Sequence, residues 1–402
     1  MVKVTHKKLG ESTEVSRVID RYTQNEPGPT VIFMCGTHGN ETSSVFAIKK
    51  VFQQLKENKP EIKGEMVAAY AGNLKALKEG VRYIDSDLNR GWIPKRLKRL
   101  GFFDESDETH GHEREERKEI LNLLQQTFDQ AKGDVFVFDL HTTSSPSPPF
   151  TAISDTIRNR KIALKFPLPC VVGFDEIIRG TFMNYINELG IMGVAYEAGE
   201  HYSLAAIENN ISFIWHALAM IGSIKQELIP DYSTHYQNLC KENFGQRQIF
   251  DLVYRHAISE EDGFKMRPGY TTFDEIEKGE HIADDKNGPV KAQESGYIFM
   301  PLYQKQGDDG YFIVQKKSEE WLKLSEELRK ARDDEYLKSR PGVSLHPDDD
   351  HTLIIEPKAY EEIRDRLHMM GFRRWMKRNG KIIITRREYD TESPDLKKIK
   401  VH

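Results

Sequence analysis

Thr30-Val31-Ile32-Phe33-Met34-Cys35 runs directly into Gly36-Thr37-His38-Gly39-Asn40-Glu41. A short, continuous apolar run that stops at a glycine suits a strand buried on both faces of an α/β sheet. Val45, Ile48, Val51, Phe52 and Leu55 follow at helical spacing, so a helix is expected over 41–55. Working outward, EMVAAYA at 65–71, DVFVFDL at 134–140 and IMGVAY at 191–196 read as further strands. Residues 114–131 and 204–224 read as helices. Alternation of this kind predicts a three-layer α/β/α unit, a sheet with helices on both faces, over 1–235.

The rest of the chain changes character. Residues 236–315 hold short apolar runs, YIFMPL at 297–302 and YFIV at 311–314, punctuated by glycines. This predicts a small β-rich lid domain. Residues 316–402 carry 21 Lys or Arg against 18 Asp or Glu and keep helix and strand periodicity, as in a charged α+β appendage. Three domains are in keeping with 402 residues.

Composition excludes several classes. The net charge of −5 gives no global case for nucleic-acid or membrane binding. No apolar run reaches the length of a membrane-spanning helix, and the N-terminus lacks the apolar core of a secretory signal. Cys35, Cys170 and Cys240 are far apart and odd in number, which argues against a disulfide framework. A cytoplasmic protein is expected, with its oligomeric state, including a homo-oligomer, left open.

The chemistry begins at His38 and Glu41. An H-x-x-E pair in a strand-to-helix turn lets an imidazole nitrogen and a carboxylate oxygen reach one metal ion, and Gly36 and Gly39 permit a tight turn. Zinc favours such ligands, typically three protein side chains and a water in a catalytic site. Alone, the pair is common by chance and fits a polar helix cap equally. A third ligand should come from another strand end, and His141 terminates the strand at 134–140. Asp139, two residues earlier, lies on the same face, where a carboxylate orients a ligating imidazole.

At this point the sequence resembles a known family. GTHGNE at 36–41, RYIDSDLNR at 82–90, DLHTT at 139–143 and YEAGE at 196–200 occur in the order found in the aspartoacylase and succinylglutamate desuccinylase family, within the zinc carboxypeptidase-like superfamily. Four ordered motifs are specific where one would be weak. The resemblance covers about 25–315 and implies one zinc per chain and hydrolysis of the amide of a small N-acyl amino acid. It implies His38, Glu41 and His141 as zinc ligands and Glu197 as catalytic carboxylate. It implies Arg82 as the group that polarises the scissile carbonyl, and Asn89 with Arg90 as the holders of a substrate carboxylate. Such roles agree with physical chemistry. A carboxylate can relay the proton of an attacking water, a cation can offset a developing oxyanion, and a guanidinium fork suits a carboxylate.

Rivals and departures accompany these assignments. Asp85, Asp87 and Arg90 could form only a salt-bridged turn. Glu200 rivals Glu197, although the E-x-G context favours Glu197; Glu200 and His201 read as rim residues. Family members acting on acidic amino acids read the second carboxylate with an arginine about ten residues before the catalytic glutamate. Here Asn187 stands at that place, and Arg179 matches only with a gap. The family's late tyrosine corresponds, by a poor local match, to Tyr311. His110-Gly111-His112-Glu113 holds a second H-x-x-E without a preceding strand, and reads as a solvated helix start. Arg373, Arg374, Lys377, Arg378, Lys381, Arg386 and Arg387 could form a nucleic-acid patch, but Asn379-Gly380 is a hairpin turn signal, so a structural basic hairpin is expected. Two further functions stand beside the deacylase. One is a zinc carboxypeptidase on peptides or peptidoglycan fragments, excluded for long peptides if the lid covers the cleft. The other, third, is a nucleic-acid-binding protein acting through its tail.

Overall fold

A computed structural model describes residues 1–24, 26–64, 66–241, 248–331 and 334–401. Its centre is an eleven-stranded mixed sheet. Thr30–Cys35 forms one of its strands and is buried at every position, because it has neighbours on both sides and helices on both faces. It pairs in parallel with Met66–Ala71 and with Val135–Thr143. Val135–Thr143 pairs in parallel with Met192–Glu200. The expected start of the second strand, Glu65, lies outside the described residues. Both later strands run further than their apolar runs suggest. His141 and Glu197 are therefore held inside the sheet, register partners of one another, rather than beyond its edge.

Helices cover the two faces. Ser43–Asn58 turns Val45, Ile48, Val51, Phe52 and Leu55 inward, as the spacing predicts, and packs with Leu204–Met220 on one face. Gly111–Gln130 buries Ile120, Leu124 and Phe128 on the other. The fold is thus mixed α/β with a layered core. An antiparallel hairpin, Val2–His6 with Glu11–Val15, precedes it and was not expected from the sequence.

The region after 235 joins this sheet. Ile249–Ala257 pairs in parallel with Cys170–Val172 and antiparallel with Asp309–Lys317, which pairs with Gly296–Phe299, which in turn pairs with Glu275–Ile276. The lid strands are a continuation of the central sheet, with a small core of their own around Ile282, Ile298 and Ile313. The boundary expected at 235/236 falls inside the helix Tyr232–Lys241, and that at 315/316 inside the strand Asp309–Lys317.

Residues from 319 onward form helices and a four-stranded sheet with a third core built on Leu353, Ile363, Leu367 and Ile384. Arg374–Arg378 and Lys381–Thr385 make the expected hairpin, with Asn379 and Gly380 at φ 50° and 75°. Both positive angles match the turn that Asn-Gly favours. Among the described residues, no helix is long and apolar enough to cross a membrane.

Candidate active site

The two strand ends and the turn after Cys35 converge on one point. Gly36 has φ 62°, and a Cβ on Gly39 would lie 2.0 Å from the Ala76 carbonyl carbon, so the turn can pass only without a side chain there. That turn delivers His38 and Glu41 to His141. Ligand atoms of the three buried residues lie within 4.8 Å of one another, the only such grouping of metal-ligand side chains among the described residues.

The orientation of each group matters more than the proximity. Nδ1 of His38 is 2.7 Å from Glu41 Oε1, and Nδ1 of His141 is 3.0 Å from Glu41 Oε2. The opposite nitrogens are held from behind: His38 Nε2 lies 3.2 Å from Asp87, and His141 Nε2 lies 2.9 Å from Asp139. Asp139 in turn accepts from the Thr37 hydroxyl. Carboxylates on the far nitrogens fix ring orientation and tautomer and leave Nδ1 to face a cation. Two imidazoles and a carboxylate so arranged fit zinc. Burial alone would raise the Glu41 carboxyl, but His38 and His141 hold it well below the usual carboxylate range. Burial alone would lower His141, but Asp139 and Glu41 raise it well above the usual imidazole range.

A cavity opens beside this cluster. Its lining includes Arg82, Asn89, Arg90, Asp139 and Glu197 together with His38, Glu41 and His141. Glu197 is buried and its Oε2 has no hydrogen-bond partner. Burial pushes its carboxyl up to about 8. Glu200 is exposed and lies outside this lining, which separates the two rivals.

The 82–90 segment is pinned at both ends. Arg82 donates Nε and Nη2 to Asp87 at 3.0 and 2.9 Å. Asn89 Oδ1 accepts from the Phe182 amide. Arg90 Nη2 donates to Asp309 at 2.7 Å, while its buried Nε has no hydrogen-bond partner. Beneath lies Glu113, fully buried, whose carboxylate accepts from the amides of Ile84, Asp85 and Ser86 and from Asn73 Nδ2. The second H-x-x-E thus supplies an anchor for the first segment's loop. The expectation of a solvated helix start fails for Glu113, because three backbone amides replace its water. His112 instead reaches Asp85 at the surface.

Several sequence expectations are relocated. Tyr311 is fully buried in the small core of the lid strands, stacked on His256, and is not among the cavity's lining residues. The strand alternation that brings Phe312 to the cavity turns Tyr311 away from it. Arg179 is exposed outside the cavity, and buried Asn187 is tied to Met183 O and Asn159. Arg373, Arg374 and Arg387 of the basic cluster are buried against the central fold, not displayed.

Sequence reading missed four contributors. Asp87 was legible only as part of an Asx turn, since its Oδ1 accepts from the Asn89 amide. Gln304 of the lid region lies 3.3 Å from His201 Nε2 and accepts from Asn40 Nδ2, joining lid and rim. Burial lowers His201 to about 4. Asp175 and Asp309 line the cavity from segments with no motif at all.

The chain is similar to known proteins in sequence and in fold. Residues 27–219 match the succinylglutamate desuccinylase/aspartoacylase catalytic domain. A probable aspartoacylase of Prochlorococcus marinus (strain MIT 9301) is 33% identical over 284 residues, covering 68% of this chain and 87% of that protein. The chain belongs to the succinylglutamate desuccinylase/aspartoacylase family. Aspartoacylase of Rattus norvegicus is 32% identical over 268 residues, 62% of this chain and 81% of the relative. Among solved structures, succinylglutamatedesuccinylase/aspartoacylase from Rhodobacter sphaeroides superposes with a TM-score of 0.52 at 18% identity, covering 73% of this chain and 88% of that one. At that identity the likeness concerns the family fold alone.

Proposed function

We propose that this family member is a zinc-dependent hydrolase that cleaves the amide bond of a small N-acyl amino acid. One observation carries the reading. Two imidazoles face a shared carboxylate with their far nitrogens held by Asp87 and Asp139, and Glu197, whose Oε2 has no hydrogen-bond partner, lines the same cavity.

Bound by His38, Glu41 and His141, zinc would supply a Lewis acid and bring the pKa of a coordinated water toward about 7. The chain's own residues do the rest. Glu197 is placed to take a proton at its carboxylate and return it to the departing amine; its raised affinity for a proton suits it to hold one between the two steps. Asp87 takes Nε and Nη2 of Arg82, so Nη1 is the nitrogen left for the substrate carbonyl oxygen. Asn89 has its oxygen occupied, which turns its amide nitrogen to donor duty, and Arg90 keeps Nε. Together they suit the substrate's α-carboxylate.

The lid favours this reading over a peptidase. Met300, Leu302, Gln304, Gly307, Asp308, Asp309 and Phe312 close one side of the cavity, and Gln304 bonds across to the rim. A long peptide would have to displace these residues to pass on that side. The test is a hydrolysis screen of N-acetyl and N-succinyl amino acids beside a peptide panel, with zinc content measured on the same preparation. Stoichiometric zinc and release of the free amino acid are expected, with both lost in His141→Ala. Full activity in that variant, or peptide cleavage alone, would sink the proposal.

A further inference from the structure

The cavity has one reader for a carboxylate and lacks a second. Arg82 and Arg90 are the arginines in its lining, and the reading above uses both. Arg179 and Asn187 lie outside the lining. The lining also has an apolar wall, formed by Ala152, Phe174, Ile178, Met183, Ala195 and Phe312. Set in that wall is a carboxylate, Asp175, at 1% exposure.

We propose that this wall selects N-acyl amino acids whose side chain is an apolar shaft ending in an amine, with Asp175 as the residue that recognises the amine. The inference rests on the N-acyl amino acid reading above, which it deepens.

Asp175 is built as a receptor. One oxygen accepts from the Thr181 hydroxyl at 2.5 Å and the other from the Ser154 hydroxyl. A carboxylate oxygen has two lone-pair sites, so each keeps one for a ligand. Arg374 donates to the backbone oxygen of Asp175, and Thr181 caps the following helix, Phe182–Glu188. The group is therefore held from both sides before any ligand arrives, which lowers the cost of binding. Of the cations behind it, Arg387 is paired with Glu176 and Glu188, and Arg374 donates to Asn184 Oδ1; burial nevertheless raises the Asp175 carboxyl against the pull of Arg387. An acidic side chain entering here would meet Asp175, with Asp308 and Asp309 also in the lining. A buried charge without a counterpart is strongly disfavoured. An amine would find its counterpart, and its methylenes would lie along Phe174, Ile178 and Met183.

The experiment separates this inference from the catalytic one. Binding of Nα-acetyl-lysine, Nα-acetyl-ornithine, N-acetylnorleucine and N-acetylaspartate is measured calorimetrically on the full-length, zinc-loaded chain in a Glu197→Gln background. Turnover of the same four is measured on the unsubstituted chain. An amine-ended ligand is expected to bind at least about tenfold more tightly than norleucine, with aspartate weakest. Asp175→Asn should erase the amine's advantage and leave norleucine binding in place, which also shows that the variant is folded. Met183→Lys, placed in the same wall, should weaken the amine ligands and improve aspartate. Tighter binding of aspartate than of both amines, or an unchanged amine advantage in Asp175→Asn, overturns the inference. The expected binding order without turnover supports it and overturns the hydrolase reading instead.

Discussion

At the scale of single residues, the centre depends on groups that would not touch a metal themselves. Asp87 joins two functions, since one oxygen lies against His38 Nε2 and the other takes the Arg82 guanidinium. Arg82 and His38 lower its carboxyl well below the ordinary range despite its burial. Asp87→Asn keeps the shape and removes the charge. Loss of a carboxylate behind a ligating histidine typically costs 10–100-fold in metal affinity. Zinc competition against a chelator should show a weakening of about that size, with the protein still folded by circular dichroism. Unchanged affinity would show that His38 needs no such support. Glu197→Gln should behave oppositely, retaining zinc while kcat falls by roughly 10²–10⁴. The sequence made His38, Glu41, His141 and Glu197 legible because four short motifs stand in order. It hid Asp175 and Glu113, because a lone acid in a helix gives no sign of which distant amides or hydroxyls will close on it.

At the scale of elements, burial pattern decided what could be read. Thr30–Cys35 was legible to the residue because a strand flanked on both sides has no polar face to blur its ends. The hairpin of the appendage was legible from Asn379-Gly380 alone. Val135–Thr143 was cut short, since Thr142 and Thr143 are polar yet buried. The joining of the lid strands to the main sheet was not legible, because the pairing of Ile249–Ala257 with Cys170–Val172 spans more than seventy residues of chain and leaves no local mark. The loop 82–90 illustrates the same dependence energetically. Its shape is dictated by Glu113 on the first turn of Gly111–Gln130, through three amide donors. Hydrogen bonds to a charged group contribute about 1.5–3 kcal/mol each at most, and they are not additive. Glu113→Ala is expected to cost roughly 3 kcal/mol in all and to raise KM more than it lowers kcat, because Asn89 and Arg90 lose their fixed position. Thermal unfolding and steady-state kinetics on one preparation check both parts. A stable variant with unaltered KM would mean that Asp87 alone holds the loop.

At the scale of the whole molecule, the basic tail turns out to be a clasp. Asp155 is fully buried and receives Arg160 of the central unit together with Arg329 and Arg373 of the appendage. Arg373 also pairs with Asp251, Arg387 with Glu176, and Arg96 reaches across to Asp349. Of the cluster that suggested nucleic acid in the sequence, Arg373 and Arg387 thus spend their charge on acids of the central fold, while Arg386 pairs with Asp334 and Lys377, Arg378 and Lys381 stay exposed. Removing one partner of a buried ion pair leaves the other uncompensated, at about 3–5 kcal/mol. Asp155→Asn should therefore destabilise the chain by that order. The pH dependence follows with a definite sign. Arg160, Arg329 and Arg373 hold Asp155 well below the usual carboxylate range against its burial, and Arg96 holds Asp349 at about 2. A carboxyl whose folded pKa is depressed contributes stability that is fully present above its unfolded pKa of about 3.9 and fades as pH falls toward the folded value. Docking should accordingly be insensitive to pH between about 5 and 8 and weaken below about 4. Buried pairs are poorly screened, so added salt should shift this little. Trp321 and Trp375 flank the groove between appendage and central unit, so their fluorescence reports separation directly. A transition already complete at pH 5, or one moved strongly by salt, would show that surface charge rather than the Asp155 cluster joins the two.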